Sequence, residues 1–149
     1  IRDYLHEIIS SFKEISKKEF VFNFDQDSNP KKISKSIEIV YGLRNFIGNA
    51  NKFAKNSIFI NLKSDSEFTE LTVEDDGNGY PRDIISKIGE PYLKSNYSKD
   101  KSKEGLGLGL FIGKTLLEKN FASVNCRNSK TRSGAEVIIR WKNKELFNI

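Results

Sequence analysis

Residues 57–81 read SIFINLKSDSEFTELTVEDDGNGYP, and their pattern decides the fold class. Apolar and polar residues alternate over Ser57 to Lys63 and again over Thr69 to Glu74, the period of strands buried on one face. The polar link SDSEF between them is short, so the two segments read as a hairpin of antiparallel neighbours. Glu74, Asp75 and Asp76 end the second strand. Gly77, Gly79 and Pro81 then mark a loop leading into a short helix near Arg82 to Ile88.

Upstream, Ile1, Leu5, Ile8, Ile9, Phe12 and Ile15 recur at helical spacing, which predicts a helix to about Lys18. Phe20, Phe22 and Phe24 alternate with Val21 and Asn23 in a short strand, ended by the turn-rich DQDSNP. Ser34 or Ser36 caps a second helix, in which Ile37, Val40, Tyr41, Arg44, Ile47 and Phe53 repeat up to Ala54. Downstream, Gly89 to Gly105 is rich in lysine and serine and poor in apolar anchors. It reads as a long mobile surface loop, of the kind that is a functional lid or disordered. A helix is expected from about Leu108 to Asn120, followed by strands Ala122 to Asn128 and Ala135 to Trp141 around the turn SKTRSG. Antiparallel neighbours with helices collected on one face make an α+β fold, not a doubly wound parallel sheet.

The 149 residues fit one domain, and 37% apolar with 30% charged residues is a globular composition. The net charge of +5 favours anionic partners. A single cysteine, Cys126, excludes a disulfide framework or a Cys-based zinc site and suggests a reducing compartment. The single histidine, His6, excludes a multi-His metal centre. No apolar run approaches the roughly 18 residues of a membrane span, and no signal segment opens the chain. A chain that starts at Ile1 and contains no Met is expected to be part of something longer.

Three segments carry candidate chemistry. In EGLGLGLFIGKT (104–115) a P-loop would need glycine where Leu108 stands, and a dinucleotide fingerprint would need it at Leu110 or Ile112. What remains is Gly105, Gly107 and Gly109 alternating between a lysine-rich loop and a helix start. That arrangement suits a polyphosphate, or is a flexible hinge. In EDDGNG a carboxylate at a strand end beside glycines can accept a hydrogen bond from the amine of a base. Calcium ligation lacks its loop order and terminal Glu, and a plain acidic turn stays open. On the second helix Asn45, Asn49 and Lys52 share a face beside Phe46 and Phe53. They suit Mg²⁺ with phosphate oxygens, or are an ordinary solvent-facing stripe.

Taken in order, these segments resemble the catalytic ATP-binding domain of sensor histidine kinases, in the gyrase, heat-shock chaperone, histidine kinase and MutL superfamily (GHKL, Bergerat fold). NFIGNANKF (45–53) looks like the N-box, DDGNG (75–79) like the D-x-G-x-G box, GEPY (89–92) like the box that opens the ATP lid, and GLGLG (105–109) like the second glycine box. TRSGAEVII fits the last hairpin, with Gly134 in its glycine position. The resemblance spans about Phe20 to Trp141 and implies a Bergerat-type sandwich with a mixed sheet of about five strands, helices on one face and a long lid. By it Asn49 is the Mg²⁺ ligand, Asn45 supports the site, Lys52 reaches phosphate and Phe53 packs on adenine. Asp75 reads the adenine amino group, with Gly77 and Gly79 allowing close approach. Tyr92, Gly105, Leu106, Gly107, Leu108 and Gly109 belong to the lid and its closing box. GEPY with GLGLGLFIGKTLLEK is most similar to RegB/PrrB-type redox-responsive kinases, whose redox cysteine lies outside this domain, so Cys126 reads as a small core residue. Tyr80 departs from the aliphatic residue usual after the D-x-G-x-G box.

The resemblance implies a protein-histidine kinase using ATP and Mg²⁺. Members that hydrolyse ATP carry a glutamate where this chain has Asn45, and Asn cannot take a proton, so transfer to a histidine fits better. That histidine is expected on a dimerisation domain outside this chain, with a response regulator downstream; residues 1–19 would end the preceding helix or linker and 20–149 form the catalytic domain. His6-Glu7 copies the start of a phosphoacceptor box, but the continuation IISSF lacks its Pro, and His6 reads as a surface residue. Lys94, Lys99, Lys101 and Lys103 suit phosphate contact or a solvated charge run. Nucleic acid is not an expected partner. A cytoplasmic location is expected, with any membrane contact made through other parts of the parent chain. The rival class is a non-catalytic module in which ATP gates a partner contact.

Overall fold

The hairpin forms as its alternation requires. In the computed structural model, which describes residues 1–24, 36–85 and 106–146, β2 (Ser57–Ser64) and β3 (Phe68–Asp75) pair antiparallel, with Ile58 opposite Asp75 and Leu62 opposite Leu71. β3 then pairs with β5 (Ala135–Lys142), and β5 with β4 (Ser123–Asn128), both antiparallel. β1 (Glu19–Phe24) adds parallel to β2 on the other side, so the order is β1-β2-β3-β5-β4. The sheet is mixed and five-stranded, as expected. Its single parallel pair needs a crossover, which the helix between β1 and β2 supplies.

Register puts matching apolar rows on one face. Phe22, Ile60, Val73, Val137 and Cys126 make one row across the five strands, and Phe24, Leu62, Leu71, Ile139 and Val124 the next. Helix α2 (Ile37–Phe53) covers these rows with Ile39, Leu43, Phe46, Ile47 and Ala50. Of the two candidate caps, Ser36 is the one that acts, its side chain accepting the Ile39 N–H at 3.3 Å. Helix α4 (Leu106–Lys119) runs antiparallel along α2, in contact through small residues. A Cβ on Gly113 would lie 2.8 Å from the Phe46 ring, and one on Gly42 2.8 Å from Leu117 Cγ. Packing of this kind outweighs the exposed Lys119–Glu38 ion pair at 3.2 Å: each buried aliphatic side chain contributes about 1.5–3 kcal/mol, against about 0–1 for a surface pair.

Three expectations need correction. Helix α1 (Arg2–Lys13) buries Leu5, Ile8 and Ile9 but stops well before Lys18. The chain leaves it to reach the end of α2, where Ser16 Oγ donates to Asn51 Oδ1 at 2.6 Å and Lys18 Nζ donates to the Asn51 and Lys52 carbonyls. Ile15 is therefore 80% exposed. On α2, Ile37 and Tyr41 are exposed and Gly42 is buried, because the helix packs on both the sheet and α4 and its covered stripe is set between them. Finally, α4 begins two residues earlier than expected, so Gly107 and Gly109 lie inside its first turn.

The short helices α3 (Arg82–Ile85) and α5 (Asn143–Leu146) complete the described chain. Asn143 ties α5 to the β2–β3 turn, donating to the Asp65 carbonyl at 2.8 Å and accepting from Thr69 Oγ1 at 2.7 Å. The DQDSNP turn, the end of the expected helix to Ile88 and the Gly89 to Gly105 loop lie outside the described residues.

Candidate functional site

The end of β3 and the last turns of α2 meet around an open pocket. The sheet contributes Val73, Asp75, Ala135 and Val137, α2 contributes Phe46, Asn49, Ala50 and Phe53, and the loop after β3 contributes Gly79, Tyr80 and Pro81. An apolar cavity with a few convergent polar groups is the form small-molecule sites take.

Asp75 supplies the charge. It is 3% exposed, and its Oδ1 accepts the N–H groups of Gly77 at 2.8 Å and Ala135 at 3.4 Å. Burial pushes its carboxyl above the ordinary value, those two N–H groups pull it back, and the Asp76 and Glu74 charges push it up further. Close packing enforces the position, since a Cβ on Gly77 would overlap the Phe53 carbonyl oxygen. A carboxylate held in such a place is costly even with two N–H donors on one oxygen, and an amine-bearing ligand would add a further donor.

The flanking acids have other partners. Asp76 accepts the N–H groups of Lys55, Asn56 and Ser57 at 2.8, 3.0 and 3.2 Å, tying down the α2–β2 link. Burial works against it, yet the Asn56, Ser57 and Lys55 N–H groups hold its carboxyl below the ordinary value. Glu74 pairs with Arg132 at 2.8 Å and accepts from Ser129 Oγ at 2.5 Å. Of the three acids, Asp75 is the one lining the pocket.

On α2, Asn49 lines the pocket, and its Nδ2 is buried with no hydrogen-bond partner among the described residues. Asn45 stands one turn earlier, its Nδ2 donating to the Tyr41 carbonyl at 2.8 Å. Both face Gly109 in the first turn of α4, where a Cβ would lie 3.5 Å from Asn49 Nδ2 and 3.7 Å from Asn45 Oδ1. Leu106, Gly107 and Leu108 precede it in that turn, whose N–H groups have no partner within the helix. Lys52 is exposed, its Nζ 5.5 Å from the Phe53 ring centre, and does not line the pocket. Tyr92, Gly105 and the four loop lysines lie outside the described residues. His6 is exposed and stacks on Phe22, with ring centres 5.0 Å apart.

The Asn49 amide oxygen suits a hard cation, and its buried, unpaired Nδ2 is a donor left for an outside acceptor such as a phosphate oxygen. No group of three or more His, Cys, Asp or Glu that could hold a metal ion occurs among the described residues. An ion here would complete its shell with phosphate oxygens and water.

Cys126 packs half-buried against the core beneath Tyr80, and burial pushes its thiol up to about 11. Burial likewise carries the Tyr80 phenol well above its ordinary value. Sequence reasoning missed Asn128, which contacts Gly79 and Tyr80. The available signal was a polar residue at an inward position after Val124 and Cys126.

Residues 34–145 match the family described as histidine kinase-, DNA gyrase B-, and HSP90-like ATPase. The sensor histidine kinase RegB of Cereibacter sphaeroides is 38% identical over 97 residues, which cover 62% of this chain and 21% of that protein. The match thus spans about a fifth of this relative's length. Among solved structures, the catalytic domain of histidine kinase ThkA aligns with a TM-score of 0.77 at 20% identity, covering 95% of this chain and 93% of that one. Full-length ShkA in complex with AMPPNP aligns with a TM-score of 0.74 at 21% identity, covering 93% of this chain and 29% of that one. At these identities the structures show the fold.

Proposed function

The chain belongs to the histidine kinase-, DNA gyrase B- and HSP90-like ATPase family, and on that premise we propose that it binds ATP with Mg²⁺ and passes the γ-phosphate to a histidine on a dimerisation domain. The observation that carries this reading is the buried Asp75 carboxylate in a pocket shared with Asn49 and Phe53. Adenine enters among Phe46, Phe53 and Val137, and Asp75 accepts a hydrogen bond from its exocyclic amine. A charge-assisted bond of this kind in a water-poor pocket orients the base and sets where the phosphates emerge. They emerge toward Asn49 and the N-terminal turn of α4, whose free N–H groups and positive dipole end suit them. Lys52, on the exposed side of Phe53, meets phosphate from solvent.

Asn49 would hold Mg²⁺, which when bound neutralises phosphate charge and orients the transferring group. Asn45 offers no proton acceptor, so a water in its place of contact is not activated as a base would activate it, and the reaction is left to an external imidazole. Residues 1–19 would carry the chain in from the histidine-bearing domain to the catalytic body, 20–149. Since α1 seats Leu5, Ile8 and Ile9 in the core, that junction would be firm. Among the described residues no helix is long and apolar enough to cross a membrane. The cytoplasmic face and a downstream response regulator are the proposed setting.

Mixing the chain with radiolabelled ATP, Mg²⁺ and the histidine domain of its parent kinase tests this. Acid-labile phosphate on the partner is the expected result. Nucleotide binding without transfer would replace it with the gated-module reading.

A further inference from the structure

Asn128, the last residue of β4, makes a strand-like pairing with one residue of the pocket loop. Its Oδ1 accepts the Tyr80 N–H at 2.6 Å, and its Nδ2 donates to the Tyr80 carbonyl at 3.1 Å. Both main-chain groups of Tyr80 are thus met by a single side chain, as a neighbouring strand would meet them. The same oxygen limits the preceding residue: Gly79 has φ +78, and a Cβ there would lie 2.7 Å from Asn128 Oδ1. Gly79 and Tyr80 both line the pocket that contains Asp75.

We propose that Asn128 is a positioning residue for the purine base: it fixes the Gly79–Tyr80 backbone, and with it the Tyr80 ring, as a preformed wall of the pocket. The inference rests on the nucleotide reading of that pocket. Without the clamp the Tyr80 N–H and carbonyl turn to water, the loop samples other conformations, and the cost of ordering it falls on ligand binding. Asn128 touches the wall and not the ligand, so its effect is on affinity for any ligand carrying the base.

The experiment is calorimetric titration of adenosine and ATP into wild type, Asn128→Ala and Asn128→Asp, well below each melting temperature. Asn143→Ala serves as control, because it removes a buried hydrogen-bond pair at the opposite end of β3. The expected result is about tenfold weaker binding of both ligands to Asn128→Ala and a smaller loss for Asn128→Asp, which keeps the acceptor but not the donor. Asn143→Ala lowers the melting temperature and leaves affinity unchanged. Amide exchange at Tyr80 speeds up in Asn128→Ala and much less in Asn128→Asp, which keeps the acceptor of the Tyr80 N–H; Asn128→Asp carries the affinity test if Asn128→Ala does not fold. Unchanged affinity in the folded Asn128 variants, or an equal loss in Asn143→Ala, overturns the clamp. Failure of the wild type to bind either ligand overturns the nucleotide reading and the clamp with it.

Discussion

Gly134 lies directly against Asp75: a Cβ at position 134 would overlap both the Asp75 carbonyl oxygen and its side-chain Oδ1. The turn between β4 and β5 therefore braces the residue that supplies the pocket's charge. Gly134→Ala is expected to cost about 1–3 kcal/mol, because either the turn or the end of β3 must move. Urea denaturation measures this, and a loss below about 0.5 kcal/mol would show that the turn gives way freely.

The carboxyl of Asp75 is raised above its ordinary 3.8 mainly by burial. The folded state then holds that proton more tightly than the unfolded chain does, so this group's contribution to stability is lost as pH rises from near 3.8 through the raised value. Asp75→Asn keeps an oxygen for the Gly77 N–H and has no charge to bury. Its stability is expected to match wild type at acid pH and exceed it at neutral pH. Parallel stability curves across that range would contradict the assignment.

Asn49 carries a buried amide nitrogen without a partner among the described residues. Asn49→Ala is expected to change stability by less than about 1 kcal/mol, since an unpaired group contributes little to the fold. The same variant should weaken ATP binding in Mg²⁺ more than in EDTA. Equal losses in the two buffers would remove Asn49 from the metal.

Gly109 has room for a methyl group beside Asn49 and Asn45. Gly109→Ala should stabilise α4 by about 0.5–1 kcal/mol through helix propensity. It should at the same time weaken Mg²⁺-dependent nucleotide binding, because the added methyl would take up space beside the two amides that bound phosphate needs. A gain in stability with unchanged binding would place the phosphates elsewhere.

The sheet was legible because its strands alternate cleanly: Ser57 to Lys63 and Thr69 to Glu74 predict elements within a residue of those observed. Local pattern pointed only to the Asn45–Phe53 stretch and the EDDGNG turn; the family resemblance picked out Asn49, Phe53, Asp75 and Gly79, and the fold gathers these four around one pocket. Ile15, Ile37 and Tyr41 belong to the helical repeats yet are exposed, because the covered stripe of a helix depends on which neighbours it meets. The early end of α1 depends on contacts from Ser16 and Lys18 to α2, more than thirty residues away. The sequence excluded Gly113 from a P-loop but offered no reason for a glycine there; its smallness lets α4 approach Phe46. Asn128 escaped notice since its partners lie 48 positions away in the chain. Spacing records local periodicity; contacts at such separations leave no periodic trace.

Cys126 gives a chemical check on the same packing. With its thiol pushed from 9.0 to about 11, its reactive thiolate near pH 8 is about a hundredfold scarcer than in an open thiol. Labelling by a thiol reagent should be slow in the native state and rapid in denaturant. Rapid native labelling would show that the layer beneath Tyr80 opens.

The most direct test of the nucleotide site is calorimetric titration of ATP into wild type and Asp75→Ala, with folding checked by circular dichroism. Loss of a charge-assisted bond to the adenine amine predicts roughly 10- to 150-fold weaker binding in the variant. Equal affinity in a folded Asp75→Ala would contradict the placement of the base at Asp75.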